Sequence, residues 1–449
     1  MVKGVRKISI NKKYLIAAIV ISLLLCIAQI AANTMLIMGC LLLYMLLLAV
    51  GCIYDFTLPI LLFFLPWSPI MRMNPDGFSV YTFGLVMVCL FSVIKKRFSL
   101  QKYQIIAGLI LAILTLLSKL LEGNELSFAY IAFMMMIVLF PSVLEESRKQ
   151  KYDFYHLVMF FSLGAIVASL CAMNFAESAN IQQYIRVDTY QTIVRRSGFY
   201  GDANFYAAQI LAALGGALAL TLQERMRKKL IYLAITALFL LYCGFLSASK
   251  SFALIAAVML LVWIIAIWKM RGSAGLKILL LTCFAGAVIY IATSAMFSDL
   301  IAVIEERFSR TTDIDSFTTG RVGLWKSYTD EIFGNPKVFF LGEGFTNIKV
   351  NDRGSHNTII QLFYQFGILG APVVFYWIIN YFRSNIQEYR NEKSLRLHRL
   401  IIYVGAFVPW LAIDMLFFDE FFLLPWFVMA ALEQFGKQPE PEEQSLNST

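Results

Sequence analysis

Charge is scarce in this sequence and histidine scarcer: 15% of 449 residues are charged and three are histidine. No CxxC pair occurs. All seven cysteines (Cys26, Cys40, Cys52, Cys89, Cys171, Cys243, Cys283) fall inside apolar runs, where they read as small core residues and not as a disulfide or metal framework. Walker A, Rossmann and HExxH patterns are missing, and the polar stretches are too short to fold a nucleotide-binding domain. These absences argue against cytosolic ATP-driven or nucleotide-sugar chemistry.

What remains is apolar. The hydrophobic fraction is 59% and the mean hydropathy +0.70, more apolar surface than a soluble core hides. Apolar runs of roughly 17 to 25 residues, the length that crosses hydrocarbon as a helix, fill most of the chain. The expectation is an all-α polytopic membrane protein with about 12–14 transmembrane helices, near 14–32, 35–53, 57–72, 79–95, 103–121, 126–144, 155–174, 203–221, 230–246, 250–268, 276–295, 360–382, 399–416 and 418–434.

The formal charge of +9 is spread over short basic bursts between spans, which reports topology and no nucleic-acid partner. Lys95 to Arg97, Arg148 to Lys151, Arg225 to Lys229, Lys269 with Arg271, and Arg383 to Arg399 mark every second loop as cytoplasmic, with both termini. The basic, apolar N-terminus lacks a small-residue cleavage site and reads as an uncleaved first helix. Residues 175–202 and the longer 296–359 then lie outside, the latter long enough to hold short helices over the membrane.

This divides the chain into N-terminal transmembrane helices (1–174), central helices with the first outer loop (175–295), a large extracytoplasmic loop (296–359), C-terminal helices (360–434) and a disordered cytoplasmic tail (435–449).

His356 is the one histidine expected outside, in GSHNTIIQLFYQFGILG. An imidazole there can accept a proton near neutral pH and so act as a base toward a sugar hydroxyl; the plainer reading is that His356 and Asn357 cap a helix. His156 and His398 fall among basic residues on the cytoplasmic side and read as interfacial anchors.

Upstream, Arg321, Trp325 and Glu343 lie in a short amphipathic helix followed by a Gly-rich turn. A guanidinium fork suits a pyrophosphate, though Arg321 and Lys326 also read as solvated charges. In the first outer loop, Arg195 and Arg196 precede Gly201-Asp202-Ala203-Asn204 at the mouth of a span; Asp202 or Asn204 fits an N-cap, and Arg195 fits lipid headgroups. Lys250 sits between two apolar runs, where a cation snorkels or meets an anionic headgroup. Asp313-Ile314-Asp315, lacking an α/β domain around it, reads as a solvated loop and not as a metal site.

In order along the chain stand R-x-G-x-x-x-D-x-N at 196–204, S-x-S-K-S at 247–251, G-R-V-x-x-W at 320–325, N-P-x(5)-G-x-G at 335–344 and S-H-N-x-x-x-Q-x-x-x-x-x-G at 355–367. Together they resemble the O-antigen ligase and Wzy-type polysaccharide polymerase superfamily over roughly 190–385.

The resemblance implies a GT-C-like helical fold in the bacterial inner membrane. It implies an undecaprenyl-pyrophosphate-linked oligosaccharide as donor, transfer without metal or cofactor, and neighbours such as a flippase or chain-length regulator. On this likeness His356 is the base or acceptor-orienting group and Arg321 binds pyrophosphate. The donor-binding set adds Arg195, Arg196, Lys250, Asp202, Asn204, Glu343 and Asn357. The family's Ser-Arg pair falls on Ser249-Lys250, where lysine keeps the charge and loses the fork. The expected activity is a surface-polysaccharide polymerase (O-antigen, capsule or exopolysaccharide). An O-antigen ligase that transfers to lipid A core or another acceptor is the alternative, and a glycolipid flippase the competitor from another class.

Overall fold

Runs of leucine, isoleucine, methionine and alanine without interrupting charge fold as helices, because in hydrocarbon each backbone N–H and C=O must be paired within its own segment. In a computed structural model, residues 12–122, 152–293 and 318–414 are described, apart from 75–76, 96–100, 183, 186–187, 191–192, 224–226, 270–273, 319, 345–348 and 388–395; isolated positions between 298 and 309 are also described. The expected spans at 126–144 and 418–434, Asp313 to Asp315 and the tail lie outside the described residues.

Besides a single turn at Ala179–Gln182, the helices among the described residues are α1 (Lys12–Ile30), α2 (Thr34–Tyr54), α3 (Thr57–Phe64, continued by a 3-10 turn Leu65–Ile70), α4 (Val80–Ile94), α5 (Lys102–Glu122) and α6 (Phe154–Asn174). There follow α7 (Ala203–Thr221), α8 (Arg227–Phe245), α9 (Lys250–Lys269), α10 (Ala274–Thr293), α11 (Arg321–Gly334), α12 (Pro336–Leu341), α13 (Thr358–Gln387) and α14 (Arg396–Phe407). Among the described residues, eight helices are long and apolar enough to cross a membrane: α1, α2, α5, α6, α7, α8, α9 and the Thr358–Asn380 part of α13. The chain is a multi-pass α-helical membrane protein. Its one ribbon among the described residues is a pair of three-residue strands, β1 (Asp188–Tyr190) and β2 (Ile193–Arg195), in the loop before α7.

Helix α7 is the hub, packed by α6, α8, α9 and α14. Its Ala- and Gly-rich sequence permits this, since small residues let helix backbones approach closely where lipid supplies no hydrophobic drive. A Cβ on Gly405 of α14 would stand 2.5 Å from the Leu211 carbonyl oxygen of α7, and one on Gly164 of α6 would stand 2.2 Å from that of Phe63. The 3-10 turn after α3 is fully buried, and the Gln29 side chain donates to the Ile70 and Arg72 carbonyls that end it (2.7 and 3.0 Å).

Four elements depart from the sequence expectation. The span expected at 57–72 is the eight-residue α3 with its 3-10 turn, and that expected at 79–95 is the fifteen-residue α4, both shorter than the eight spans. The span expected at 399–416 ends at Phe407 and turns through a 3-10 segment, Val408–Leu411, containing Pro409. The last described residues, Ile413 and Asp414, then reach the head of α13. Helix α13 breaks at Gly367, whose φ of 60° and ψ of −172° no other residue type adopts readily. His398 is buried near the start of α14, and His156 opens α6 beside Asp153 (3.4 Å).

Candidate functional site

The heads of α7, α9, α11 and α13 meet with the end of α14 at one end of the bundle, and the motif residues gather there. Asp202 is the N-cap of α7; its carboxylate accepts from the Asn204 and Phe205 amides (2.6 and 3.3 Å). Asn204 Oδ1 accepts from the Ser249 hydroxyl (3.0 Å), which ties α7 to the turn before α9. Arg195 Nε donates to the Ser247 carbonyl (3.3 Å) and the Arg196 amide to the Leu246 carbonyl (3.0 Å), so the strand β2 is stitched to the same turn. Lys250 is the first residue of α9 and half-buried. A cation at a helix N-terminus opposes the helix dipole, so helix stability does not explain its placement.

Helix α11 begins at Arg321, after Gly320 in a left-handed conformation (φ 79°). One turn on, Trp325 Nε1 donates to the Ser355 carbonyl (2.9 Å), and Tyr328 Oη donates to the Arg353 carbonyl (2.7 Å), which fastens α11 against 353–355. Burial pushes the Tyr328 hydroxyl up to about 12.

His356 has a φ of 49°, uncommon outside glycine. Its neighbours explain how that conformation is held. Asn357 caps α13, its side-chain oxygen accepting from the Ile359 and Ile360 amides (3.0 and 3.3 Å). The buried carboxylate of Asp414 accepts from the Ser355 hydroxyl and from the Asn357 amide (3.2 Å). Thr358 Oγ1 donates to the Ile413 carbonyl (2.8 Å). A Cβ on Gly354 would collide with Asp414 Oδ2 at 2.0 Å. Of the two residues proposed from sequence as the cap, Asn357 makes the capping bonds.

Burial depresses the proton affinity of His356 below the ordinary 6.5, with Asp414 opposing and Arg321 reinforcing; Asp202 and Lys349 act more weakly. Burial likewise lowers Arg321, while Asp202 and Asp414 counter it and Arg195 adds to it. His356 and Arg321 thus share the fields of Asp202 and Asp414, and Arg195 joins them through Arg321; burial and the Arg321 guanidinium both favour the uncharged imidazole.

Glu343 is engaged elsewhere. Its carboxylate pairs with Lys337 (3.1 Å) and is nearly buried between α5 and α13. Asp414, conversely, escaped the sequence reading because LAIDMLFF looks like the end of a span. The signal was present, since an acid in an apolar run marks a site by default.

Among the described residues, no group of three or more His, Cys, Asp or Glu side chains has metal-ligand geometry. Compared with known proteins, the chain matches no family model and no curated protein.

Proposed function

We propose that this protein polymerises a bacterial surface polysaccharide at the outer face of the inner membrane, transferring a glycan from undecaprenyl pyrophosphate to a lipid-linked repeat unit. The observation that carries the reading is the convergence of His356 with Arg321, Arg195, Asp202 and Asp414 at one end of a membrane bundle. Three loops far apart in sequence supply them.

In the proposed reaction, His356 takes the proton of an acceptor hydroxyl as that oxygen bonds to the anomeric carbon of the donor sugar. The bond from that carbon to the pyrophosphate oxygen breaks, and undecaprenyl pyrophosphate leaves with the electron pair. Arg321 and Arg195 neutralise the charge that develops on it, a fixed-cation role that needs no reorganisation during the step. A pyrophosphate is already a competent leaving group, so positioning and charge are the chief demands.

Supplying the purified protein with a lipid-pyrophosphate oligosaccharide as sole substrate tests this reading. Longer lipid-linked ladders from the wild type, lost in His356→Ala, support a polymerase that uses His356. No product from a folded wild type that binds the substrate counts against a polymerase and in favour of the ligase or transporter alternatives.

A further inference from the structure

Residues 336–344 belong by sequence to an aqueous loop, yet their backbone is seated along two membrane spans. Gly367 follows Thr358, the start of the α13 span, by nine residues, which places it about 14 Å along the helix at 1.5 Å per residue. A Cβ at Gly367 would stand 2.4 Å from the Phe340 carbonyl oxygen, and one at Gly342 would stand 2.3 Å from the Gln365 carbonyl. Measured from Leu121, the end of the α5 span, Ser118 and Thr115 lie about 5 and 9 Å in at the same rise. Ser118 Oγ donates to the Gly342 carbonyl (2.7 Å), and Thr115 lies 3.2 Å from a Cβ built on Gly344.

Irregular backbone survives at such depth only if its polar groups are paired. The amides of Glu343 and Gly344 donate to the carbonyls of Tyr364 and Gln365 (2.9 and 2.7 Å), next to the break at Gly367. The two charges of the segment, Lys337 and Glu343, pair with each other, as charges in a membrane must.

The outward surface is aromatic. Phe340 is 51% exposed and Phe333 73%, with the Phe339 ring 4.9 Å from the first and 5.7 Å from the second. Beside them α13 exposes Ile368 and Leu369, and α5 exposes Leu116 and Leu117, side chains of the membrane-facing surface of two spans.

We infer that residues 333–344 form a re-entrant element of the bilayer, with Phe333, Phe339 and Phe340 seated among lipid acyl chains and the Lys337–Glu343 pair closing the turn. Glu343 is then a structural clasp. The inference is independent of the chemistry proposed above. It joins the far end of α11, the helix that begins with Arg321, to the lipid surface.

The test is labelling of Phe340→Cys and Phe333→Cys in the full-length protein in liposomes with a water-soluble maleimide. Lys326→Cys, on the exposed side of α11, is the aqueous control, and the wild type gives the background of its native cysteines. A thiol in hydrocarbon does not ionise, so Phe340→Cys should label at least about ten-fold more slowly than Lys326→Cys and fully once unfolded in detergent. Equal rates in liposomes overturn the inference. If the cysteine variants misfold, Phe340→Trp replaces them. Quenching by lipids brominated along the acyl chain, in excess of the wild-type signal, supports the inference; no excess overturns it.

Discussion

Helices α7 and α2 are both apolar, yet 89% of the α7 span is buried inside the protein and only 44% of the α2 span. Nine of the nineteen α7 residues are Ala or Gly, whereas α2 carries seven leucines among its twenty-one. Helix α7 is also the less apolar of the two, and its small side chains let neighbouring backbones approach, because packing is what draws helices together in a membrane. The charged corner is mounted on the head of the better-packed helix, where Asp202 and Asn204 inherit a rigid frame.

The largest effect that would test this contrast is expected from Gly405→Leu. With the Leu211 carbonyl 2.5 Å from a mere Cβ, a bulky side chain must separate α14 from α7. The cost is about 3 kcal/mol, the upper end for overpacking because the obstacle is backbone, and size-exclusion chromatography should show loss of monodisperse protein.

Next comes Asp414→Ala, which strands the Ser355 hydroxyl and the Asn357 amide. The expected penalty is about 1–3 kcal/mol, read as a lowered melting temperature, with activity lost more steeply than stability because the His356 backbone loses its support.

Acidification should separate the corner from the core. His356 is held below 6.5 by burial, so the unfolded chain takes up the proton first as pH falls. Stability is therefore full above 6.5 and declines below it, levelling off under the folded-state value. The proposed glycan transfer should fall in the same direction as His356 protonates, and His356→Gln should remove the acid-dependent part of the stability loss that His356 contributes. A pH series of melting temperatures and initial rates checks both.

The smallest effect belongs to α2. Leu42, 60% exposed on the bundle surface, should tolerate Leu42→Ala within about 0.5 kcal/mol in detergent unfolding.

The spans were largely legible, because a bilayer imposes both length and composition: 203–221 is a helix over those residues, and 250–268 ends one residue later at Lys269. The end of α14 was not legible. Apolar composition continues through 408–413 although the helix stops before Pro409, and hydropathy does not register a proline. In the site, the sequence singled out His356, Arg321 and Arg195 but not Asp414, whose importance depends on contacts across 59 and 57 positions with Ser355 and Asn357. It also read Glu343 as a donor ligand, since nothing local reveals that Lys337 pairs with it between two spans.

By itself, then, the sequence determined a helical membrane protein and where most of its helices run, since burial of backbone in lipid is a local requirement that each segment meets alone. Tertiary structure decided which helix is the hub, that 336–344 rests along two spans, and which charges act on one another. Those depend on side-chain size and close backbone approach between segments distant in the chain, quantities that no local pattern encodes.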